Sequence, residues 1–524
     1  MTPGSPLSRF VHALPLLLCI AAVVAHWALI DLKGISTDEG FRLGIMNGGR
    51  PAQTHPAPPW ATWDEVIATV SPHAYQPGYY LIQNSFMRLT GRQDILIFRE
   101  LNLGFFALCL LALLGLSRDW SPWPRSFLIG LFAFNAYLIM HVLQVREYIV
   151  AVALYLGGTG LVLHLDRRQL GREWRDVAWF TGYGLLMAFG FYLQTWTVFP
   201  AIAQGAFLVL RRRPQLGRFL AHLALSYLVV FALTWPYLQA NRQKVDVGLW
   251  AQEQVTLLGQ LKQGFQLVLS GHLPGHAWFT SALPVAWLAL LVAGAWVGWR
   301  KRAALPPGFA TECGRQTWLM VLSILLPLAF QVAYFYRVEP LSVWPRYFII
   351  HYFFLTWLVA LAFRSLHAAR NLPGSRPATR VGLGAASVIL AASSVYQIHS
   401  FRADPYLDTS LSPSSDWRVG THLLARELQP DDVLVSQDFV TRSTLSFTRP
   451  VDNRIIHFAD VETAPLDGVR RLLYLEPVHA QFSRAELAAK VATRGYGPPV
   501  VLATSPAVSP ETEGYWRLVA FQRP

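Results

Sequence analysis

The sequence predicts a mainly α, polytopic membrane protein of about eleven transmembrane helices, with a small C-terminal α/β domain on the extracytoplasmic side. Three observations predict it. Only 14% of the 524 residues are charged and 53% are hydrophobic, where soluble proteins carry about 25% charged residues; so low a share cannot keep the surface of a soluble globule of this size wet. Nineteen Trp and nineteen Tyr supply the amphipathic rings that settle at membrane–water interfaces. Apolar runs near the ~20 residues needed to cross a bilayer recur to about residue 400, where the composition turns soluble.

The candidate spans are residues 11–30, 100–116, 126–145, 148–165, 177–192, 198–210, 219–237, 283–299, 318–335, 347–363 and 381–397. The apolar run of the first, 14–30, exceeds the usual signal-peptide core of about 7–15 residues, and many spans follow it, so an uncleaved first helix is expected. With the N-terminus in the cytoplasm, the basic blocks around Arg118, Arg167–Arg175, Arg211–Arg218, Arg300–Arg315 and Arg364–Arg380 all fall on one side, as the positive-inside rule requires. The opposite loops are 31–99, the turn Arg146–Glu147, 194–196, 239–280 and 337–346. An odd number of spans puts the C-terminal region outside, and the expected location is the cytoplasmic (inner) membrane. A net charge of +13 split into interhelical blocks, with no single basic stripe, argues against nucleic acid as a partner. Cys19, Cys109 and Cys313 all lie outside the polar C-terminal region and imply no disulfide framework there.

The expected domains are therefore residues 1–400, membrane-embedded and including the long first external loop 31–99, and residues 401–524, soluble. In the latter, "DWRVGTHLLARELQPDDVLVSQ" reads as an amphipathic helix, a turn at Pro430–Asp432 and a strand Val433–Ser436. "RIIHFA", "RLLYLEP", "PPVVLAT" and "WRLVAFQ" read as further strands, and "SRAELAAKVATRG" as a capped helix. The region has no Gly-rich phosphate loop and no metal-ligand cluster, and the chain has no internal repeat.

The first external loop, at about 65 residues, is too long to serve only as a connector. "PPWATWDEVIATVS" could form a short interfacial helix with Trp60, Trp63 and Val66 as apolar contacts, and "AYQPGYYLIQNSFMRLTG" a Pro-initiated helix ended by Gly91. Just before them, "ISTDEGFR" places Asp38 and Glu39 side by side after the first span. They could be a helix start, with Ser36 or Thr37 as N-cap and acids offsetting the dipole, or a catalytic or metal-binding pair. Arg146–Glu147 could be an interfacial ion pair, and Arg346 an interfacial anchor. His55, His73, His272 and His276 are also external; Pro274 keeps the last two off one helical face. Taken together, carboxylates in the first loop, an acid in the next external turn and a membrane-edge arginine suit an anionic lipid-phosphate ligand. Arginine binds phosphate bidentately, and a partly desolvated carboxylate gains basicity towards a hydroxyl.

These pieces resemble the GT-C superfamily of integral-membrane glycosyltransferases, closest to the bacterial branch of protein O-mannosyltransferases and the lipid A aminoarabinose transferase. "DEG" follows the first span; "YQPGYYLIQNSFMRLTG" resembles the family's "HPPLYY" helix, and "QVREYIVAVALY" its Q-x-R-x-Y segment. "WPRYFIIHYFFLTWLVALAF" resembles its late "RY" span, and "DWRVGTHLLARELQPDDVLV" the "DWR…PGD" start of its C-terminal external domain. The resemblance implies transfer of a sugar from a polyprenyl-phosphate donor to a lipid, glycan or protein acceptor, with inversion. It makes Asp38 the general base and Glu39 its supporting neighbour. It puts Glu147 near the acceptor or a metal and makes Arg146, Arg346 and Tyr347 candidates for the donor phosphate; the external His55 and His73 are further candidates for acceptor or metal binding, and Tyr75 and Gln76 for the phosphate. No cofactor is certain, and a divalent metal is left open.

The chain departs from the pattern at Gln76, where the family often has His or Lys, and at Gly78, where it has a second Pro. Two other readings are a transporter or flippase for a lipid-linked polysaccharide precursor, and a polysaccharide polymerase or ligase. Transporters gather polar groups at mid-membrane and show repeated halves, whereas here the acids stand at external span ends. A polymerase or ligase shares the lipid-linked donor but not the early acidic loop.

Overall fold

The structure is a computed structural model. It describes residues 6–31, 37–50, 52, 60–70, 76–168, 174–211, 216–241, 256–271, 277–337, 345–372, 376–403, 417–436, 439–448, 453–477, 484–504 and 516–524. In chain order the helices are α1 (Pro6–Ala28), α2 (Thr37–Met46), α3 (Trp63–Val70), α4 (Gly78–Thr90), α5 (Ile95–Leu116), α6 (Pro122–Ala133) and α7 (Ala136–Leu143). They continue with α8 (Tyr148–Arg167), α9 (Trp174–Leu193), α10 (Val198–Arg211), α11 (Leu216–Asn241), α12 (Leu257–Ser270) and α13 (Ala277–Arg300). The last are α14 (Phe309–Arg337), α15 (Ile349–Ala369), α16 (Arg376–Ala403), α17 (Trp417–Glu427), α18 (Phe439–Thr448) and α19 (Arg484–Ala492). Five strands, β1 (Val433–Ser436), β2 (Ile455–His457), β3 (Arg471–Pro477), β4 (Val500–Thr504) and β5 (Trp516–Gln522), complete the chain.

Two compact units result. The first comprises Met1–Leu29, Asn102–Leu143 and Glu147–Asp404; the second comprises Ile30–Leu101, Gln144–Arg146 and Pro405–Pro524. The first external loop, which the sequence reading kept with the membrane part, thus packs in one unit with the C-terminal region.

In the first unit each of the eleven expected spans has its helix. Among the described residues eight helices are long and apolar enough to cross a membrane, and α6 with α7, bent by 58° at their break, meets the same test as a pair. The helices α9 and α10 occupy the two remaining positions. The bend falls at Phe134–Asn135, where the helix gives up its own hydrogen bonds and side chains replace them. Asn135 Oδ1 accepts the Tyr137 N–H at 2.8 Å, and its Nδ2 donates to the Val268 carbonyl at 2.9 Å. Gln397 Oε1 accepts the Ala136 N–H at 2.6 Å. Backbone groups freed inside a bilayer must be satisfied by protein in this way. The helix α12 was not anticipated: its sequence, "LLGQLKQGFQLVLS", is too polar to read as a span.

The second unit is built on one mixed sheet of order β2-β1-β3-β5-β4; β1 runs parallel to β2 and β3, whereas β5 is antiparallel to β3 and β4. Side chains alternate across a strand, and the sequence exploits both faces. Leu434, Leu473, Leu475, Leu518, Ala520 and Trp516 face one core, shared with residues of α2, α3, α4, α17 and α18. Val433, Val435, Leu472, Tyr474, Val519 and Phe521 face the other, closed by Leu487 and Val491 of α19. Every strand read from the sequence is present, as are α17 and α19; α18 was missed. The Pro430–Asp432 turn is held by Asp432, whose carboxylate receives Arg471 Nε at 2.8 Å and Nη2 at 2.6 Å.

The two loop helices form as expected. The sequence T-x-x-E opens α3 with a reciprocal capping box: Thr62 Oγ1 accepts the Glu65 N–H at 3.2 Å, and Glu65 Oε2 accepts the Thr62 N–H at 2.6 Å. That backbone donor, with Arg50 beside it, holds the Glu65 carboxyl below its usual range. Pro77 precedes α4, and Gly91, at φ 68°, ends it by donating to the Met87 carbonyl at 2.8 Å.

Candidate active site

The helix α2 begins at Thr37, so Asp38 and Glu39 occupy its first turn, where negative charge meets the positive end of the helix dipole. The side chain of Asp38 lies outside the described residues. Glu39 is 0% exposed. Its Oε1 accepts the Val145 N–H at 2.9 Å, and Arg99 Nη2 stands 3.7 Å from the same oxygen. Arg99, with a side chain 1% exposed, also donates through Nη1 to the Ile30 carbonyl at 2.9 Å. One buried ion pair therefore gathers the end of the first span's connection, the start of α2, the first turns of α5 and the segment Gln144–Arg146. The carboxylate of Glu39 is committed to this junction, which fixes the backbone that carries Asp38.

Gly40 completes the "DEG" triplet for a steric reason. A Cβ there would fall on the Thr444 side chain, 2.6 Å from its Cα, so α2 and α18 cross in contact at this residue. At the far end of α2, Asn84 of α4 donates to the Met46 carbonyl at 3.1 Å and the Ala61 carbonyl at 3.2 Å. The Arg42 guanidinium lies 5.8 Å from the Tyr80 ring centroid, within cation–π range. Arg146 is buried, and its N–H donates to the Gln144 carbonyl at 2.7 Å.

In the first unit, Glu147 immediately precedes α8; it is buried, and its carbonyl accepts the Ala151 N–H at 2.9 Å. Tyr148 follows, its ring 4.6 Å from His141, which lies 4.5 Å from Tyr137. Tyr347 sits on the 3-10 turn Pro345–Phe348, with its ring 5.6 Å from Trp196. Arg346 is on the same turn, and its side chain lies outside the described residues, as do His55, His73, Tyr75, His272 and His276 altogether. Gln76 is half-buried just ahead of α4. The sequence-derived set is thus divided: Glu39, Gln76 and Arg146 belong to the second unit, Glu147 and Tyr347 to the first. Among the described residues no three His, Cys, Asp or Glu side chains stand together as a metal-binding group.

Sequence reasoning missed Arg99 and Asn84. The signal for Arg99 was present, an arginine between "ILIF" and "ELNLGF", but the predicted span began one residue after it. Asn84 gave none, since a polar residue every fourth place on α4 reads equally well as a wet face.

No protein-family model matches the sequence, and no curated protein matches it. Solved structures do. The structure of ArnT from Cupriavidus metallidurans in the apo state aligns over 98% of this chain and 98% of its own, with a TM-score of 0.54 at 13% identity. The structure of the same protein bound to undecaprenyl phosphate aligns over 96% and 97%, with a TM-score of 0.52 at 13% identity. At that identity the likeness is one of fold, and it extends through the membrane helices, the first loop and the C-terminal region. The chain shares the fold of these ArnT structures.

Proposed function

We propose that this multi-pass membrane protein is a glycosyltransferase that moves a sugar from a polyprenyl-phosphate donor to an acceptor hydroxyl at the external face of the cytoplasmic membrane. The observation that carries this reading is the likeness, over nearly the whole of both chains, to an ArnT structure that holds undecaprenyl phosphate. The anchoring of α2 through Glu39 supports it, because a base must be held still to gain from proximity.

In the proposed reaction Asp38 takes the acceptor proton while the acceptor oxygen attacks the anomeric carbon. The bond from that carbon to the phosphate oxygen breaks with inversion, and the polyprenyl phosphate leaves with the electron pair. Arg146, Arg346 and Tyr347 are the residues we assign to the departing phosphate, where fixed positive charge lowers the barrier, and Tyr75 and Gln76 are assigned to the same group. Glu147, His55 and His73 are assigned to the acceptor or to a divalent metal. Glu39 is a positioning residue. The N-terminus lies in the cytoplasm and the C-terminal region outside.

A transfer assay with polyprenyl-phosphate sugars, comparing the wild type with Asp38→Asn, tests the reading. Loss of a general base is expected to lower turnover by about 10²–10⁴-fold. Near-normal turnover by a folded Asn variant removes Asp38 from the mechanism, and the absence of transfer from any lipid-linked donor by the wild type removes the reaction.

A further inference from the structure

A second charged cluster of the first unit lies at the end of the bundle away from Glu147. The twenty residues of α8 run for about 30 Å, one hydrocarbon thickness, from Glu147 ahead of its first residue to Arg167 at its last. Around Arg167 meet the residues after α5, the first turns of α14 and the last turns of α15. They border a cavity of about 220 Å³ lined by Leu116, Asp119, Trp120, Arg167, Glu312, Gln316 and Arg364. A water molecule takes about 30 Å³ of liquid, so the cavity has room for a phosphate group with part of its hydration.

The acids of this cluster are engaged. Glu312 accepts from Arg167 at 2.6 Å, from Gln316 at 2.7 Å, and from Arg315. Asp119 lies 3.7 Å from Arg118 and 4.0 Å from Arg167. Asp166 lies 3.2 Å from Arg315 and 3.6 Å from Arg211. The guanidinium of Arg364 is 4.9 Å from the ring centroids of both Trp120 and Phe309, and one N–H reaches Cys313 Sγ at 3.7 Å. Among the described residues it makes no ion pair, and its guanidinium lines the cavity beside the carboxylates of Asp119 and Glu312, both of which are engaged by Arg167. The lining itself holds two arginines and two acids, and Arg118, Arg211 and Arg315 add three guanidinium groups around it against the one further acid Asp166.

A guanidinium fork matches phosphate geometry, and basic pockets between transmembrane helices at a membrane surface take anionic headgroups. The Trp120 indole on the cavity wall excludes water and strengthens such a contact. We propose that this cavity binds the phosphate of an anionic phospholipid headgroup, with Arg364 as the principal donor, Arg167 as the second and Trp120 as the wall. The site is separate from the one assigned to glycosyl transfer and does not depend on that reading.

Native mass spectrometry of the detergent-purified full chain, titrated with phosphatidylglycerol or phosphatidylcholine, tests it. The wild type is expected to retain phosphatidylglycerol in preference. Arg364→Gln should lower that retention about fivefold, the equivalent of ~1 kcal/mol for one basic residue at an anionic surface. Leu116→Trp fills the cavity and leaves every charge in place, and should lower retention as well; it decides the matter if Arg364→Gln does not fold. Arg300→Gln, which removes a guanidinium stacked on Trp296 and not lining the cavity, should leave retention at the wild-type level. Inorganic phosphate followed by phosphorus NMR separates the sources. Line broadening abolished by both cavity variants, without a lipid preference, assigns the site to soluble phosphate, whereas a lipid preference that phosphate does not displace assigns it to the headgroup. Equal retention of the two lipids with no phosphate binding overturns the proposal, as does wild-type preference in both folded cavity variants.

Discussion

At the scale of single residues, the two acids after the first span call for different tests. Glu39 is sealed from solvent against Arg99 and the Val145 amide, and removing one partner from a buried pair strands the other. Arg99→Met is therefore expected to destabilise the protein by about 3–5 kcal/mol. Glu39→Gln should have a smaller effect, because its amide oxygen can still accept the Val145 N–H. Thermal unfolding of the purified variants checks the order, and a Glu39→Gln variant as unstable as Arg99→Met would show that the ion pair, and not the amide contact, holds α2. Asp38, one residue earlier, is the position whose loss should remove turnover and leave stability in place.

Among the elements, the broken span α6–α7 shows how a membrane helix can bend at a fixed point. Its break leaves the Ala136 N–H to a side chain from another helix, Gln397 of α16. Gln397→Leu keeps the volume and removes the acceptor, so a buried donor goes unmet at a loss of about 1–3 kcal/mol. Gln397→Glu, which can still accept, should recover part of it. Equal stability of the Leu variant and the wild type, in urea or heat, would mean that the bend does not rely on this bond. The helices α3 and α4 are specified more locally, by a capping box and by a proline–glycine frame, and so were readable from a dozen residues each.

For the whole molecule, the decisive feature is the core shared by the first loop and the C-terminal sheet. Leu43, Val66, Met87 and Phe98 from the loop side lie in one cluster with Leu434, Leu473, Leu518 and Trp516 from the sheet. Trp516 is 0% exposed, and Trp516→Ala should cost about 3–5 kcal/mol. The informative readout is hydrogen exchange: amides of α2, α3 and α4 should lose protection together with those of β3 and β5, though they lie some four hundred residues away in sequence. Unchanged protection in the loop helices would show that they fold as a separate unit.

Local chemistry determined what the sequence alone could tell. Apolar length and basic loop blocks mark the spans; alternating Leu, Val and Tyr mark the strands; Thr62, Glu65, Pro77 and Gly91 mark the ends of the loop helices. Each signal is carried by neighbours along the chain, and each was legible. The acidic pair was legible as a pair, with Asp38 read as the base and Glu39 as its support, but the sequence did not say what Glu39 binds. Only the tertiary structure gave Glu39 its partners, because Arg99 and Val145 come from segments about sixty and a hundred residues further on, and no periodicity links such distances. The same holds for Gly40, whose need for a missing Cβ is set by Thr444, and for the union of the first loop with the C-terminal sheet. Burial and close approach are properties of chains already folded together, which is why these features were decided by packing and not by pattern.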